Sequence, residues 1–382
     1  MNVLKIALIC TEKLPVPAIL GGAIQTYIDG ILPYLAQYHH ITVFSTAFQG
    51  LPSYERKGNV RYVRISHTCT RDYIHSVNSR LDKSFDLVYI FNRPLWVLSI
   101  CESHPKLNYS LSLHNEMFHP DRITKSEALE CIDRLEFITA VSRYIANMVS
   151  DFVPQAKEKI SVVYSGAEEQ PFCRPDSEGY RLEKKRLKES IGLGDKKIVL
   201  FVGRLIPDKG IHVLIEAMKQ VMEERNDAAL VVVGSSSWSI ASDAYVKSIV
   251  RLSGKLSENA LFTGFLPPSE ITAYYHMADL FVCPSQWAEP LARVLYEAMA
   301  AGLPVITTNR GGNPEVVRND INGIVVDDYK SAQCLAKAIC FLLDNASIAL
   351  EMGKTGHSQV ADIYNWRRVA KDIQNLIISS HL

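Results

Sequence analysis

Arg204 and Lys209, five residues apart, flank a turn between the apolar run IVLFVG and a helix-like stretch that opens at Gly210. A fixed guanidinium, an ammonium and the free N–H groups of a helix start together suit a diphosphate. Taken alone, the two also match ordinary solvated charges. Further along, WAEPLARVLYEAMAAGLPVITTNRGGNPEVV spans residues 287–317. Pro290 after Glu289 reads as a first helical residue, and the helix runs to Ala301 before Gly302 and Pro304 stop it. On that reading Glu289 sits at the mouth of a site, Glu297 lies within the helix, and the amides of Leu291 and Ala292 are helix-start donors able to hold an anion. A carboxylate accepts hydrogen bonds from neighbouring hydroxyls, so two of them beside a phosphate clamp point to a sugar nucleotide. The alternative keeps Glu289 as the organiser of its loop and Glu297 as half of a surface ion pair.

Side chains of this kind need a scaffold that sets strand ends side by side. From Val3 to Gly166, short apolar runs (VLKIALIC, HITVFS, VRYVRIS, FDLVYIF, NYSLSLH, FITAVS, ISVVYSG) alternate with helix-like stretches. That rhythm predicts crossover units on a parallel sheet whose strands are buried on both faces. It restarts at KKIVLFVGRL and continues through ALVVVGS, ALFTGFL, DLFVCPS, LPVITTN and NGIVVDD. The chain therefore reads as α/β with two domains, residues 1–180 and 181–363. Between them, residues 167–195 carry Pro and Gly breakers and a KKR cluster, the composition of a linker and an exposed helix. Residues 364–382 read as a terminal amphipathic helix, with Trp366, Val369, Ile373 and Leu376 on one face, expected to pack back on the first domain. In open parallel sheets ligands bind beyond the carboxyl ends of the strands, which is where Arg204 and Glu289 fall.

Composition narrows the classes. The length of 382 residues suits two or three domains, and 47% hydrophobic with 21% charged residues is globular usage. Lys+Arg 41 against Asp+Glu 41 gives no net charge, which argues against a nucleic-acid binder. The eight cysteines are scattered without a CxxC pair, so neither a zinc cluster nor a disulfide framework is indicated. MNVLKIALICTEK is too short in apolar residues for a signal or a membrane span and reads as a buried strand, which makes the cytoplasm the default location. No GxGxxG follows that strand, which weakens a dinucleotide dehydrogenase.

The segments VGRLIPDKGIHVLIEA, EPLARVLYEAMAAGLPVI and GGNPE, in that order, resemble the retaining glycosyltransferases of family four, which have the GT-B fold. LPVPAILGGAIQTYI resembles that family's glycine loop and first helix, VSRYIANMV its late N-domain helix, and VVYSGAEEQPF its inter-domain approach, so the likeness covers nearly the whole chain. It implies two Rossmann-like doubly wound parallel-sheet domains facing a central cleft that closes on the donor. The implied reaction moves a sugar from a UDP- or GDP-type nucleotide-diphosphate donor to an acceptor hydroxyl with retention. Neither a metal nor any other cofactor is implied, and the sequence has no Asp-x-Asp motif of the sort that holds a cation.

By the same resemblance Arg204 and Lys209 bind the donor diphosphate, Glu297 the ribose hydroxyls and Glu289 the transferred sugar. Gly21 and Gly22 let the first domain's loop approach the phosphates, a place where glycine suits close backbone contact. Phe265 and Leu266 lie where the backbone meets the base, and His114 lies beside the sugar. The implied catalytic residues are His114 and Glu289, although a lone histidine at a strand end also reads as structural. The chain departs from the family pattern at Leu291 and Ala292, where an aromatic and a glycine are usual, at Asn115, at Ser165-Gly166 and at Ser235-Ser236. These departures put the identity of the sugar in doubt.

The opening TEKLPVP followed by GGA is similar to the branch containing the spore coat protein SA, which implies spore coat proteins as partners and the spore coat as a location. It also supplies the alternative function, a catalytically weak or inactive GT-B protein with a structural role. The acceptor, whether glycan, lipid or protein, is not encoded in any motif. Arg56, Lys57, Arg61, Arg64 and Arg71 could meet an acidic acceptor or anionic lipid headgroups, which leaves peripheral membrane contact open.

Overall fold

Buried apolar runs become the strands of two sheets, one in each of two units. The computed structural model describes residues 2–168, 178–235 and 240–380. The first unit comprises Met1–Gly166 with Asn365–Leu382, and the second Ala167–Tyr364.

The first unit holds β1 (Lys5–Ile9), β2 (His40–Thr46), β3 (Tyr54–Lys57), β4 (Val60–Ile65), β5 (Leu87–Phe91), β6 (Asn108–Leu113), β7 (Leu135–Ala140) and β8 (Ile160–Val162) in the order β3-β4-β2-β1-β5-β6-β7-β8. All pairs are parallel except β3 on β4. Because β2 lies on one side of β1 and β5 on the other, the winding direction reverses at β1. A crevice opens beyond the carboxyl end of such a switch point. The Gly21–Gly22 turn follows β1, and His114 follows β6.

In the second unit β9 (Lys197–Val202), β10 (Ala228–Val233), β11 (Ala260–Gly264), β12 (Leu280–Cys283), β13 (Val305–Thr308) and β14 (Gly323–Val326) form an all-parallel sheet in the order β11-β10-β9-β12-β13-β14. Every residue of β10 is buried, as a strand covered on both faces requires. Here the switch point lies between β9 and β12. Arg204 follows the first of these strands and Glu289 the second, so topology places both at one end of one sheet.

The division falls at 166/167, earlier in the chain than the 180/181 boundary read from composition. The charged Glu178–Ser190 helix is not a free linker. It packs on the Pro268–Met277 helix, and Lys184 and Lys188 reach Asp279 at 3.0 and 2.6 Å. Burial pushes the Asp279 carboxyl up, but the two ammonium groups outweigh it and hold the acid below its usual range. Residues 169–177 of the expected linker lie outside the described residues.

The terminal helix, Trp366–Ser379, belongs to the first unit and packs along the Ala23–Leu35 helix. Asn365 caps it by accepting the Arg368 N–H at 2.8 Å. Its buried face is Trp366, Val369, Ala370, Ile373 and Ile377, with Leu376 half-buried at the margin. The Trp366 ring lies across Gly30, where a Cβ would come within 2.2 Å of it, so close helix packing depends on that glycine. Among the described residues no single helix is long and apolar enough to cross a membrane.

Candidate active site

Two turns build the centre of the second unit's site. After β9 the chain passes Arg204 and makes a short Pro207–Lys209 turn, then Gly210 takes the left-handed conformation (φ 72°) ahead of the Ile211–Glu224 helix. A Cβ on Gly210 would lie 1.9 Å from the Pro284 carbonyl oxygen. Only glycine combines that backbone sign with that approach. The contact brings the loop after β12 against the turn after β9, and the Gln286 N–H donates to the Asp208 carbonyl at 2.8 Å.

Lys209 is thereby set on Glu289. Its ammonium donates to Oε1 at 2.8 Å and to Oε2 at 2.7 Å. Ser285 Oγ and Trp287 Nε1 also donate to Oε2, at 3.1 and 2.7 Å. Glu289 is only 6% exposed, a burial that a carboxylate tolerates because these donors replace its water. Oε2 accepts three hydrogen bonds and Oε1 one, so among the described residues Oε1 keeps acceptor capacity for a ligand hydroxyl. Sequence reading assigned Lys209 and Glu289 to different parts of a ligand; in the folded chain they are one ion pair. Arg204 is exposed and has no side-chain partner among the described residues, which leaves its guanidinium available to an anion.

The helix expected from Pro290 begins at Arg293 and ends at Ala300. The GGNPE loop delays it. Gly311 is left-handed (φ 58°) and sits so close to Glu289 that a Cβ would lie 2.0 Å from the Glu289 carbonyl oxygen, which instead accepts the Gly312 N–H at 2.8 Å. Held in this way, the chain stays extended through Ala292 (φ −72°, ψ 120°). The Ala292 amide, expected to be an open anion donor, donates a hydrogen bond to Asn313 Oδ1 at 3.0 Å, and both Leu291 and Ala292 are buried.

Glu297 lies on the Arg293–Ala300 helix, where Tyr275 OH donates to Oε2 at 3.0 Å and Arg293 approaches Oε1 at 3.4 Å. Burial, with the Glu297 carboxylate beside it, holds the Tyr275 phenol well above its usual pKa and keeps it a donor. Phe265 and Leu266 follow β11 at the same end of the sheet, Phe265 exposed and Leu266 half-buried. Gly234 N–H donates to Gly264 O at 3.0 Å and Leu205 N–H to Ser235 O at 3.1 Å, which ties the turns after β9, β10 and β11 together. Ser236, the other residue replacing the glycine-rich turn, lies outside the described residues.

In the first unit Gly21 (φ 75°) and Gly22 (φ 102°) are both left-handed, and a Cβ on Gly22 would meet Gln25 Oε1 at 2.3 Å. Arg64, which the sequence groups with surface cations, is 3% exposed and structural. It donates to Val16 O at 3.0 Å, to Pro52 O at 2.8 Å and to Glu55 Oε2 at 2.8 Å, and so anchors the chain that leads into the glycine turn. His114 is buried edge-on to Tyr27, with ring centroids 4.7 Å apart, and its Nε2 lies 3.1 Å from Ser112 Oγ. Asn92, itself left-handed (φ 57°), accepts the His114 N–H at 2.9 Å.

Sequence reasoning missed Ser285, Trp287, Asn313, Tyr275 and Arg310. Arg310 lies over the Tyr329 ring at 4.3 Å, and its buried Nε has no hydrogen-bond partner among the described residues. The available signal was proximity in sequence: Ser285 and Trp287 precede the Glu-Pro pair, and Arg310 precedes GGNPE.

Residues 183–359 match the family described as Glycosyl transferases group 1. The chain is 41% identical over 374 residues to the spore coat protein SA of Bacillus subtilis (strain 168), covering 97% of this chain and 98% of that protein. It is 27% identical over 366 residues to a GDP-mannose-dependent alpha-(1-6)-phosphatidylinositol monomannoside mannosyltransferase of Mycolicibacterium smegmatis, covering 91% of this chain and 92% of that enzyme. Among solved structures, Anabaena Alr3699/HepE in complex with UDP-glucose superposes with a TM-score of 0.79 at 20% identity, over 98% of this chain and 100% of that one. That likeness shows the GT-B fold.

Proposed function

This chain belongs to the group 1 glycosyl transferases, and from that premise we propose that it moves a sugar from a UDP- or GDP-type nucleotide-diphosphate donor to an acceptor hydroxyl, with retention and without a metal. The observation that carries the reading is the Lys209–Glu289 pair at the switch point of the second unit, with the unpartnered Arg204 guanidinium at the end of the neighbouring strand. In the proposed reaction the bond from the anomeric carbon to the donor phosphate oxygen breaks, a bond from the acceptor oxygen to that carbon forms, and the acceptor hydroxyl's proton passes to the departing diphosphate. Arg204 supplies the charge that meets the departing diphosphate, and Lys209, which gives two of its three N–H groups to Glu289, donates the third to the same diphosphate, which is preorganised electrostatic stabilisation. Glu289 Oε1 accepts from a hydroxyl of the transferred sugar and stabilises positive charge at its ring. Glu297 receives the ribose hydroxyls, and the backbone at Phe265 and Leu266 meets the base. Leu291 and Ala292 shape the wall beside the sugar. Gly21, Gly22 and His114 keep the donor-side roles that the family resemblance implies. The named relatives support a nucleotide sugar as the substrate, since one is GDP-mannose-dependent and another was solved with UDP-glucose.

A screen of UDP- and GDP-sugars, with released nucleotide detected by mass, tests this directly. Release is expected with at least one donor, and R204A should lower it by about a hundredfold. No release from any donor, together with no calorimetric binding of UDP or GDP at millimolar concentration, overturns the reading and favours a structural protein. The 41% identity to a spore coat protein supports a spore coat location. Immunogold labelling that leaves the coat unstained counts against it.

A further inference from the structure

A cavity of about 510 Å3 opens on the first unit at the amino-terminal ends of β1, β2 and β4. That is the end of the sheet opposite to the one from which the Gly21–Gly22 turn and His114 depart. Strand parity creates it. Ile41, Val43, Val60 and Tyr62 point into the helix-covered core, so the alternate residues Thr42, Phe44, Arg61 and Val63 point to the other face. On that face β3 adds Tyr54 opposite Val63 and Arg56 opposite Arg61.

Like charges directly opposite each other across an antiparallel pair are destabilising. Here, among the described residues, Asp82 and the Tyr54 ring offset Arg61 only in part, and Arg56 has no ion pair. Lys5 and Arg80 line the same cavity, and Asp82 is the one carboxylate among its lining residues. Arg56 donates to Gly58 O at 3.1 Å, Arg80 to Ser76 O at 2.7 Å, and Arg61 lies over the Tyr54 ring at 5.8 Å; none of these cations pairs with a carboxylate among the described residues. In a chain with no net charge this is a local excess of cations around a concave space. Guanidinium groups match phosphate oxygens by planar, two-pronged hydrogen bonding, and a cavity of this size is in the range that holds small ligands.

We propose that this cavity binds a phosphate-bearing ligand with at least two phosphoryl oxygens engaged by Arg56 and Arg61, with Lys5 and Arg80 completing the charge balance. The site is separate from the donor site and does not depend on it. Bound phosphate relieves the Arg56–Arg61 repulsion, so the ligand stabilises the edge strand that carries it.

Inorganic pyrophosphate is the probe, titrated calorimetrically into the full chain and into R56S/R61S. The double variant is expected to lose a binding component by about tenfold or more, while its ligand-free Tm equals or exceeds that of the parent because repulsion has been removed. R80S, on a different element, should weaken the same component. Equal pyrophosphate binding by parent and R56S/R61S, or a lower ligand-free Tm in the double variant, overturns the proposal: the first moves the anion elsewhere, the second makes the arginines structural. Sedimentation with phosphatidylcholine vesicles with and without phosphatidic acid then separates the sources. Parent-specific, Arg56/Arg61-dependent pelleting assigns the phosphate to a lipid headgroup, and pyrophosphate binding without pelleting assigns it to a free phosphate compound.

Discussion

The Lys209 ammonium lies 2.8 and 2.7 Å from the two carboxylate oxygens of Glu289, a residue eighty positions further along the chain. One charge pair therefore links the turn after β9 to the loop after β12 at the switch point of the sheet. The pair also keeps a negative group in place beside a site proposed to receive a diphosphate, since Lys209 neutralises it before any ligand arrives.

Replacing Lys209 by Met should leave Glu289 buried with only its two neutral donors, Ser285 and Trp287. Removing one partner of a buried pair costs about 3 kcal/mol. K209M/E289Q, which removes both charges, should be more stable than K209M alone. Urea unfolding of the parent, K209M, E289Q and K209M/E289Q measures this coupling; additive effects would show that the pair contributes no interaction energy.

Gly210→Ala imposes a left-handed backbone on a residue with a Cβ and drives that Cβ against Pro284 O. A loss of about 2 kcal/mol or more is expected, with weaker binding of the donor nucleotide because the loop carrying Ser285 and Glu289 must move. Urea melts and nucleotide calorimetry on the same variant read both effects.

Glycine to alanine inside a helix ordinarily gains up to about 1 kcal/mol. Gly30→Ala should reverse that sign, because the Trp366 ring already occupies the Cβ position. Gly179→Ala, with nothing near its Cβ, serves as the control and should be neutral or stabilising. A stabilised G30A would show that the terminal helix is not seated against residues 23–35.

Acid should loosen the first unit through His39. Leu4 N–H donates to its Nδ1 at 3.2 Å and Nε2 faces Gln374 Oε1 at 2.7 Å, an arrangement that requires the neutral ring with its proton on Nε2. Burial lowers its pKa, against the opposing pull of the Gln374 contact and Asp86. The folded chain thus binds fewer protons at this site than the unfolded chain, whose value is about 6.5. The stabilising contribution is fully present above that pH and is lost as pH falls from it through the lower folded value. Chemical denaturation between pH 8 and pH 5, about the span over which histidine titrates, should show a decline that H39Q lacks.

Much of the architecture was legible because strands buried on both faces must be apolar throughout, so runs such as IALI and LVVV announce themselves. β3 was not legible: YERK is a short antiparallel edge strand with mostly exposed side chains, and Arg56 and Lys57 entered the reading only as charges. The start of the Arg293–Ala300 helix was misplaced because Pro290 satisfies the local rule for a first helical residue, and only the approach of Gly311 to Glu289 overrides it. Arg64 was misread as a surface charge, since its partners are carbonyls and a carboxylate from other segments.

By itself, the sequence determined which groups with phosphate and hydroxyl chemistry the chain carries, and that they fall just after strands of two parallel sheets. Hydrophobic periodicity and turn residues are local properties, so they survive reading in one dimension. Tertiary structure alone decided which of those groups meet. Whether Lys209 finds a phosphate or Glu289, whether the Ala292 amide is open or given to Asn313, and whether Arg61 faces solvent or another arginine depend on strand order and register, which bring distant residues within hydrogen-bonding reach.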